Sequence, residues 1–141
     1  MTSQRRTSLG LRAISLLTVA FGLLTIREGG SILFGTEASR LAAGDYVPFV
    51  LWFNFIAGFA YLIAGVGLWL QRRWAATLSV IILAATLLIF AAFGLHVYLG
   101  GAYEQRTFVA MSLRAIVWAV VVALVWRGPL SGRINRSRTQ L

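Results

Sequence analysis

Four long apolar segments make up most of the sequence, and they restrict the possible folds more than any other feature. A helix needs about 20 residues to cross the hydrocarbon core of a bilayer. Four segments reach that length: 9–34, 47–70, 74–98 and 107–126. Hydrophobic residues make up 59% of the chain, which is more apolar surface than a soluble domain of this size can bury. We therefore predict an all-α fold, an integral membrane four-helix bundle.

The connections between these segments predict how the helices are arranged. The turn at 71–73 and the loop at 100–106 are short, and short connections place consecutive helices side by side in opposite directions. The bundle is therefore predicted to run up-down-up-down, with a longer loop at 36–46. The four helices form one domain over 1–127. The basic segment 128–141 is predicted to be a tail on the cytoplasmic surface, held by anionic lipid.

The arginines predict the orientation in the membrane, because loops rich in Arg and Lys stay in the cytoplasm. Nine of the thirteen arginines fall on one side of the predicted bundle: Arg5, Arg6, Arg12, Arg72, Arg73, Arg127, Arg133, Arg136 and Arg138. All four acids fall toward the other side: Glu28, Glu37, Asp45 and Glu104. No small-x-small cleavage site follows the first apolar segment, which favours a retained helix over a signal peptide. We predict a protein of the bacterial inner (plasma) membrane with both termini in the cytoplasm.

Composition excludes several classes of function. The net charge of +9 comes from arginines in short clusters between apolar segments, which is typical of a topology signal and argues against a nucleic-acid partner. The chain has one histidine and no cysteine, so a bis-histidine haem or a thiolate-bound metal cannot form within it. Neither a metal-ligand spacing nor a serine–histidine–acid pattern is present. We predict no cofactor, no metal and no catalytic residue, and a non-enzymatic role is favoured.

Four polar residues lie where the predicted helices cross the outer half of the membrane: Glu28, Asn54, His96 and Arg114. Arg114 and Asn54 are both seven residues into their helices, about 10 Å below the outer boundary. Glu28 is about 9 Å deep if the first helix continues to residue 34, and His96 is shallower. An arginine in the middle of a spanning helix costs about 2.5–3.5 kcal/mol to insert. Arg114 should therefore face protein or water.

Helical phase predicts which faces of the first two spans meet. Small residues form stripes at helical spacing that allow close approach of a neighbour: Thr18, Gly22, Thr25 and Gly29 in the first span, and Asn54, Gly58, Tyr61 and Gly65 in the second. Glu28 and Arg114 both turn inward at one level. We predict an ion pair between them, bridged by the Asn54 amide, which either fixes the helix register or forms part of a binding site.

The two remaining polar residues have simpler interpretations. If the polar residues are structural, Asn54 is a hydrogen-bond partner between helices. His96 is predicted to be a histidine at the membrane interface rather than a ligand to a bound group. Glu104, in the outer loop, is predicted to be solvated. A His96–Glu104 pair could relay protons, but the spacing of eight residues across a loop is the only support for it.

One stretch resembles a known family. Residues 55–83 read FIAGFAYLIAGVGLWLQRRWAATLSVIIL, which resembles the second and third helices of DoxX-type small membrane proteins. The closing WRGPLSGRI of residues 126–134 is similar to the end of that family. The chain departs from that family in two places. It has no acidic residue near its end, where the family is expected to have one, and its REGG segment, residues 27–30, has no counterpart in the family. The resemblance implies a four-helix membrane protein associated with quinone-linked oxidation or acting as a membrane partner of other enzymes. It implies no catalytic residue.

Three functions are compatible with these observations. The first is a non-catalytic accessory or partner subunit, whose partners are the lipid bilayer and either other membrane subunits or a second copy of the chain. The second is a carrier or channel for a small anion, with Arg114 as the cation in the path. The third is a component of a quinone-linked oxidoreductase. An accessory bundle should bury Arg114 against Glu28, whereas an anion path should leave Arg114 reachable from outside.

Overall fold

The computed structural model describes residues 2–127, with side chains from residue 8 onward, and this part of the chain contains helices and no strand. The helices are α1 Thr2–Leu33, α2 Glu37–Ala43, α3 Pro48–Trp69, α4 Arg73–Tyr98 and α5 Gln105–Arg127. Four stretches are long and apolar enough to cross a membrane: Ser8–Leu33 of α1, and the whole of α3, α4 and α5. The predicted fold, an all-α integral membrane four-helix bundle, is confirmed.

Two helix starts differ from the predicted ones by more than one residue. Helix α1 begins at Thr2, seven residues before the predicted start, and α5 begins two residues early. Apolar length alone cannot detect these ends, because a helix continues past the membrane boundary for as long as its backbone stays hydrogen-bonded. The predicted tail, 128–141, lies outside the described residues.

Helix α2 occupies the connection that was predicted as a loop. Its first turn is capped by Thr36, whose Oγ1 accepts a hydrogen bond from the Ser39 backbone nitrogen at 3.4 Å. Such a cap satisfies one of the free N–H groups at a helix start. The helix stops at Gly44, whose φ of 68° is a conformation that glycine adopts without steric cost. A helix of seven residues is too short to show apolar periodicity, which is why the sequence did not predict it.

The four long helices form a ring in the order α1, α3, α4, α5. Helix α1 packs most extensively on α3, and α4 packs on both α3 and α5, whereas α1 and α5 touch only over a short stretch. We call the end of the bundle that carries α2 the α2 end. The gap between α1 and α5 at this end is the opening in an otherwise closed ring.

The interface between α1 and α3 is the closest in the bundle. A methyl group on Gly58 would lie 2.6 Å from Ile26 Cγ1 and 3.2 Å from the Gly22 carbonyl oxygen. Two turns further along α3, the Gly65 carbonyl oxygen accepts a 2.6 Å hydrogen bond from the Ser15 hydroxyl of α1. The small-residue stripes predicted in the first two spans do pack against each other.

The buried side chains form two clusters. The larger lies in the middle and far half of the bundle, around Tyr61, Leu68 and Trp118. The smaller lies toward the α2 end, around Val50 and Phe93. Large apolar side chains on the outer faces are exposed, for example Leu88 at 71%, as a helix surrounded by lipid requires.

Candidate ligand-binding cavity

A cavity of about 510 Å³ opens at the α2 end, between α1, α2, α3 and α5. This volume falls within the range of about 300–1,000 Å³ that is usual for small-molecule sites. Its walls are part apolar, with Val47 and Val50, and part polar. The polar side chains that carry charge or an amide are Glu28, Asn54, Arg106 and Arg114. Three of the four residues of the predicted polar layer therefore line one cavity.

Arg114 is the deepest charge in this cavity. It lies nine residues after the start of α5, about 14 Å along the helix axis, and its side chain is 7% exposed. Its Nε is buried without a hydrogen-bond partner, and the guanidinium carbon lies 5.7 Å from the centre of the Phe21 ring. A guanidinium over an aromatic ring gains some cation–π attraction, but the ring does not neutralise the charge.

The predicted ion pair between Glu28 and Arg114 is absent. The two charges attract each other across the cavity, but within residues 8–127 no nitrogen–oxygen distance of 4.0 Å or less joins them. The physical reason is that α1 and α5 touch only over a short stretch and both line the cavity that separates these two residues, and helical phase carries no information about that separation. Asn54 does not bridge them either, because its Oδ1 is buried without a partner.

Arg106 lies at the edge of the cavity and already has a backbone partner. Its Nη2 donates a 2.6 Å hydrogen bond to the Ala42 carbonyl oxygen in α2. On the other side, Arg40 in α2 donates to the carbonyl oxygens of Ile32 and Leu33 at 3.3 and 3.4 Å. These contacts tie α2 to α5 and to α1, so α2 forms part of the wall at the opening.

Beneath Arg114, three polar side chains from three helices meet in the core. We call Tyr61, Thr86 and Trp118 the floor cluster. All three are fully buried. The Tyr61 hydroxyl is close to Thr86, Trp118 and Arg114, but in the described part of the chain none of the three cluster side chains has a hydrogen-bond partner in good geometry.

The floor cluster fills the core next to Arg114, and none of its three residues lines the cavity itself. The Tyr61 ring stacks on Phe21 at 5.8 Å and lies 4.9 Å from the Trp118 ring. Tyr61 was predicted to lie on an interhelical face, whereas Thr86 and Trp118 were not singled out. The spacing of Arg114 and Trp118, one helical turn apart, would have placed Trp118 on the inward face. Thr86 has no such signal beyond being a hydroxyl in an apolar helix.

His96 and Glu104 lie apart from the cavity wall. His96 is half-buried near the end of α4, with Nε2 3.1 Å from the Ala102 carbonyl oxygen. The prediction that Glu104 is simply solvated is wrong. Its Oε1 accepts a 3.0 Å hydrogen bond from the Asp45 backbone nitrogen, which joins the α2–α3 loop to the α4–α5 loop. Among the residues described, no three His, Asp or Glu side chains lie close enough together to hold a metal ion.

Arg114 gives this cavity one side chain that can bind an anionic group. A guanidinium offers paired N–H donors in a plane, which match the two oxygens of a carboxylate or phosphate group. No family model, no curated protein and no solved structure matches this sequence. The resemblance to DoxX-type proteins therefore rests on the residues quoted above and stays a prediction.

Proposed function

We propose that this chain is a multi-pass membrane protein that binds a small solute carrying an anionic group, with Arg114 as the residue that holds the anion. One observation carries the proposal. A buried arginine lines an open cavity of about 510 Å³ and, in the described residues, has no ion pair. This is the state that the anion-path alternative requires, whereas an accessory bundle was expected to neutralise Arg114 against Glu28.

The energetic argument favours a ligand over a purely structural role. An arginine in a spanning helix costs about 2.5–3.5 kcal/mol even on insertion scales that allow for relaxation. A structural arginine recovers that cost through a counter-ion or backbone carbonyl, and Arg114 makes neither contact in residues 8–127. Access to the cavity lets its terminal N–H groups meet water, which an anionic ligand would displace in favour of charge-assisted hydrogen bonds.

The orientation that we propose makes the cavity open to the outside of the cell. Arg72 lies in the turn between α3 and α4 and Arg73 begins α4, both at the opposite end from α2, and the rule that such residues stay in the cytoplasm supports this. Arg12 near that same end lies over the Trp69 ring at 5.6 Å, as side chains at a membrane interface often do. The protein is then an inner-membrane protein with cytoplasmic termini, loaded from outside.

The closed floor distinguishes a binding protein or carrier from an open channel. Tyr61 and Trp118 are fully buried below Arg114, so a solute that crosses the membrane by this route needs these rings to move. We therefore propose a binding site reached from one side, as in a carrier. The accessory-subunit and quinone-linked, DoxX-like predictions rest on the sequence alone and stay predictions.

The test is anion binding by the purified full-length protein in detergent. Chloride, butyrate and inorganic phosphate are added separately, and thermal unfolding is followed by the fluorescence of the five tryptophans. We expect at least one of these anions to raise the unfolding temperature of the wild-type protein, and to lose that effect in Arg114→Gln.

The matched control is Arg27→Gln, which removes the same charge from an exposed position outside the cavity wall. It should respond to anions as the wild type does. If no solute with an anionic group, zwitterions included, stabilises the wild type, or if Arg114→Gln responds as strongly as Arg27→Gln, the proposed function is wrong.

A further inference from the structure

The cavity is not uniformly positive. Glu28 lines the same space as Arg114, and in the described part of the chain neither forms an ion pair. Arg106, the other cation on the wall, is already hydrogen-bonded to the Ala42 carbonyl oxygen. A simple anion bound to Arg114 would therefore meet the exposed carboxylate of Glu28 across the cavity, and like charges repel.

Counted from the ends of their helices, the two unpaired charges lie at different depths. Glu28 is five residues before the end of α1, about 8 Å along the helix axis, whereas Arg114 is about 14 Å from the start of α5. A ligand that reaches both needs its two charged groups separated by several ångströms, with the negative one deeper. Val47 and Val50 line the same cavity and are buried, so the part of the ligand near them should be apolar.

Asn54 fits the same ligand. It lies six residues into α3, about 9 Å from the helix start, at a depth close to that of Glu28. Its side chain makes no hydrogen bond to any of the described residues, and its Oδ1 is an unpaired acceptor. An amide offers both donors and an acceptor, so a modest rotation of the side chain would let it receive a hydrogen bond from an ammonium group held by Glu28.

We propose that the ligand is a zwitterion, a short aminocarboxylate whose carboxylate binds Arg114 and whose ammonium group binds Glu28. This inference rests on the proposed function, because it assumes that Arg114 binds an anion. It adds a second anchor of opposite sign. The ligand carboxylate pairs with Arg114 and the ligand ammonium group pairs with Glu28. Of the charged side chains that line the cavity, Arg106 is then the one without a partner of opposite charge.

The experiment compares three probes of the same length: 4-aminobutyrate, butyrate and butylamine. Binding to the full-length protein in detergent is measured by calorimetry, and shorter and longer ω-aminocarboxylates then determine the best spacing. We expect the best aminocarboxylate to bind the wild type at least about tenfold more tightly than the carboxylate of the same length. Butylamine should bind more weakly than either.

The variants separate the two anchors. In Glu28→Gln, affinity for the aminocarboxylate should fall about tenfold, to the level of the plain carboxylate, while affinity for butyrate is unchanged or higher. Glu28→Asp keeps the charge and should retain part of the preference, which shows that the loss is not a folding defect. Arg114→Gln should lose both ligands, and Arg27→Gln should lose neither.

The outcomes distinguish this inference from the proposed function. If butyrate binds the wild type as tightly as every aminocarboxylate, and Glu28→Gln only strengthens butyrate binding, the anion site stands and the zwitterion inference is wrong. If no probe binds the wild type, or if Arg114→Gln binds them all as well as the wild type does, both are wrong.

Discussion

Helix α1 meets α3 and α5 in very different ways. Against α3, glycines bring the two backbones together, and two small hydroxyls there are satisfied: Ser15 donates to the Gly65 carbonyl oxygen and Thr18 to the Ser15 carbonyl oxygen. Toward α5, the helices separate and Arg114 is left unpaired beside a cavity. Small hydroxyls can be satisfied by a neighbouring backbone, so they can lie in a close interface. A guanidinium cannot be satisfied in this way, and it lies where space is left open.

The largest effect should come from filling the close interface. Gly58→Leu places its side chain where Ile26 and the Gly22 carbonyl leave no room, and overpacking of this kind typically costs about 1–3 kcal/mol. We expect the loss in the free energy of unfolding to lie near the top of that range, measured by denaturant unfolding in detergent.

The matched control for this substitution is Gly94→Leu in α4, where nothing lies within 4 Å of an added Cβ. It should leave stability nearly unchanged. Equal losses from the two variants would show that the α1–α3 interface is not tighter than the outer surface.

The open side should respond in the opposite direction. Arg114→Met removes an unpaired buried charge and keeps a long side chain, so we expect the bundle to gain about 1–2 kcal/mol, because replacing poorly compensated buried charge by apolar groups is often stabilising. The same variant should lose anion binding. Denaturant unfolding and calorimetry on one preparation measure both, with Arg27→Met as the control. A loss of stability specific to Arg114→Met would mean that the arginine has a structural partner.

A smaller effect is expected from the hydroxyl that links α1 to α3. Ser15→Ala removes the 2.6 Å hydrogen bond to the Gly65 carbonyl oxygen, and such bonds between membrane helices are worth about 0.6 kcal/mol on average. Ser112→Ala removes a 2.9 Å bond within α5, to the Phe108 carbonyl oxygen, and should cost less. Unfolding of the two variants side by side measures the difference, and a larger loss in Ser112→Ala would contradict the comparison.

The smallest effect concerns Glu28 and Arg114 together. Since no direct ion pair joins them, a double-mutant cycle with Glu28→Gln and Arg114→Gln should give a coupling energy of stability below about 0.5 kcal/mol, the limit within which independent sites usually add. A coupling of about 3 kcal/mol or more, as for a buried pair, would restore the ion pair predicted from the sequence.

The sequence predicted the parts of this molecule that depend on the length of the apolar segments and on the period of the α-helix. Apolar length identified the four spans, and helical phase identified the stripes in which Gly22 and Gly58 approach each other. The depths predicted from residue counts placed Glu28, Asn54 and Arg114 at one level, and all three residues line one cavity. His96 also lies near the α2 end of the bundle, but it belongs to α4, which is opposite α1 in the ring. It is therefore not part of the cavity wall.

What the sequence could not predict depends on distances between helices. The separation of α1 from α5 decides whether Glu28 and Arg114 form an ion pair or face each other across a space, and neither helix encodes it alone. The same holds for the floor cluster, where Tyr61, Thr86 and Trp118 come from three helices. Helix α2 was missed because a seven-residue helix depends on its Thr36 cap and on contacts made by Arg40 and Arg106.

Those two arginines have a kinetic consequence. Arg40 of α2 donates to the backbone of α1, and Arg106 of α5 donates to the backbone of α2, so the short helix is attached to both of these spans. The proposed site opens beside this helix, so these attachments fix the width of its mouth. For a solute bound as proposed, the groups inside the cavity determine the equilibrium affinity. We therefore expect substitution of Arg40 or Arg106 to change the exchange rate of the solute more than its affinity.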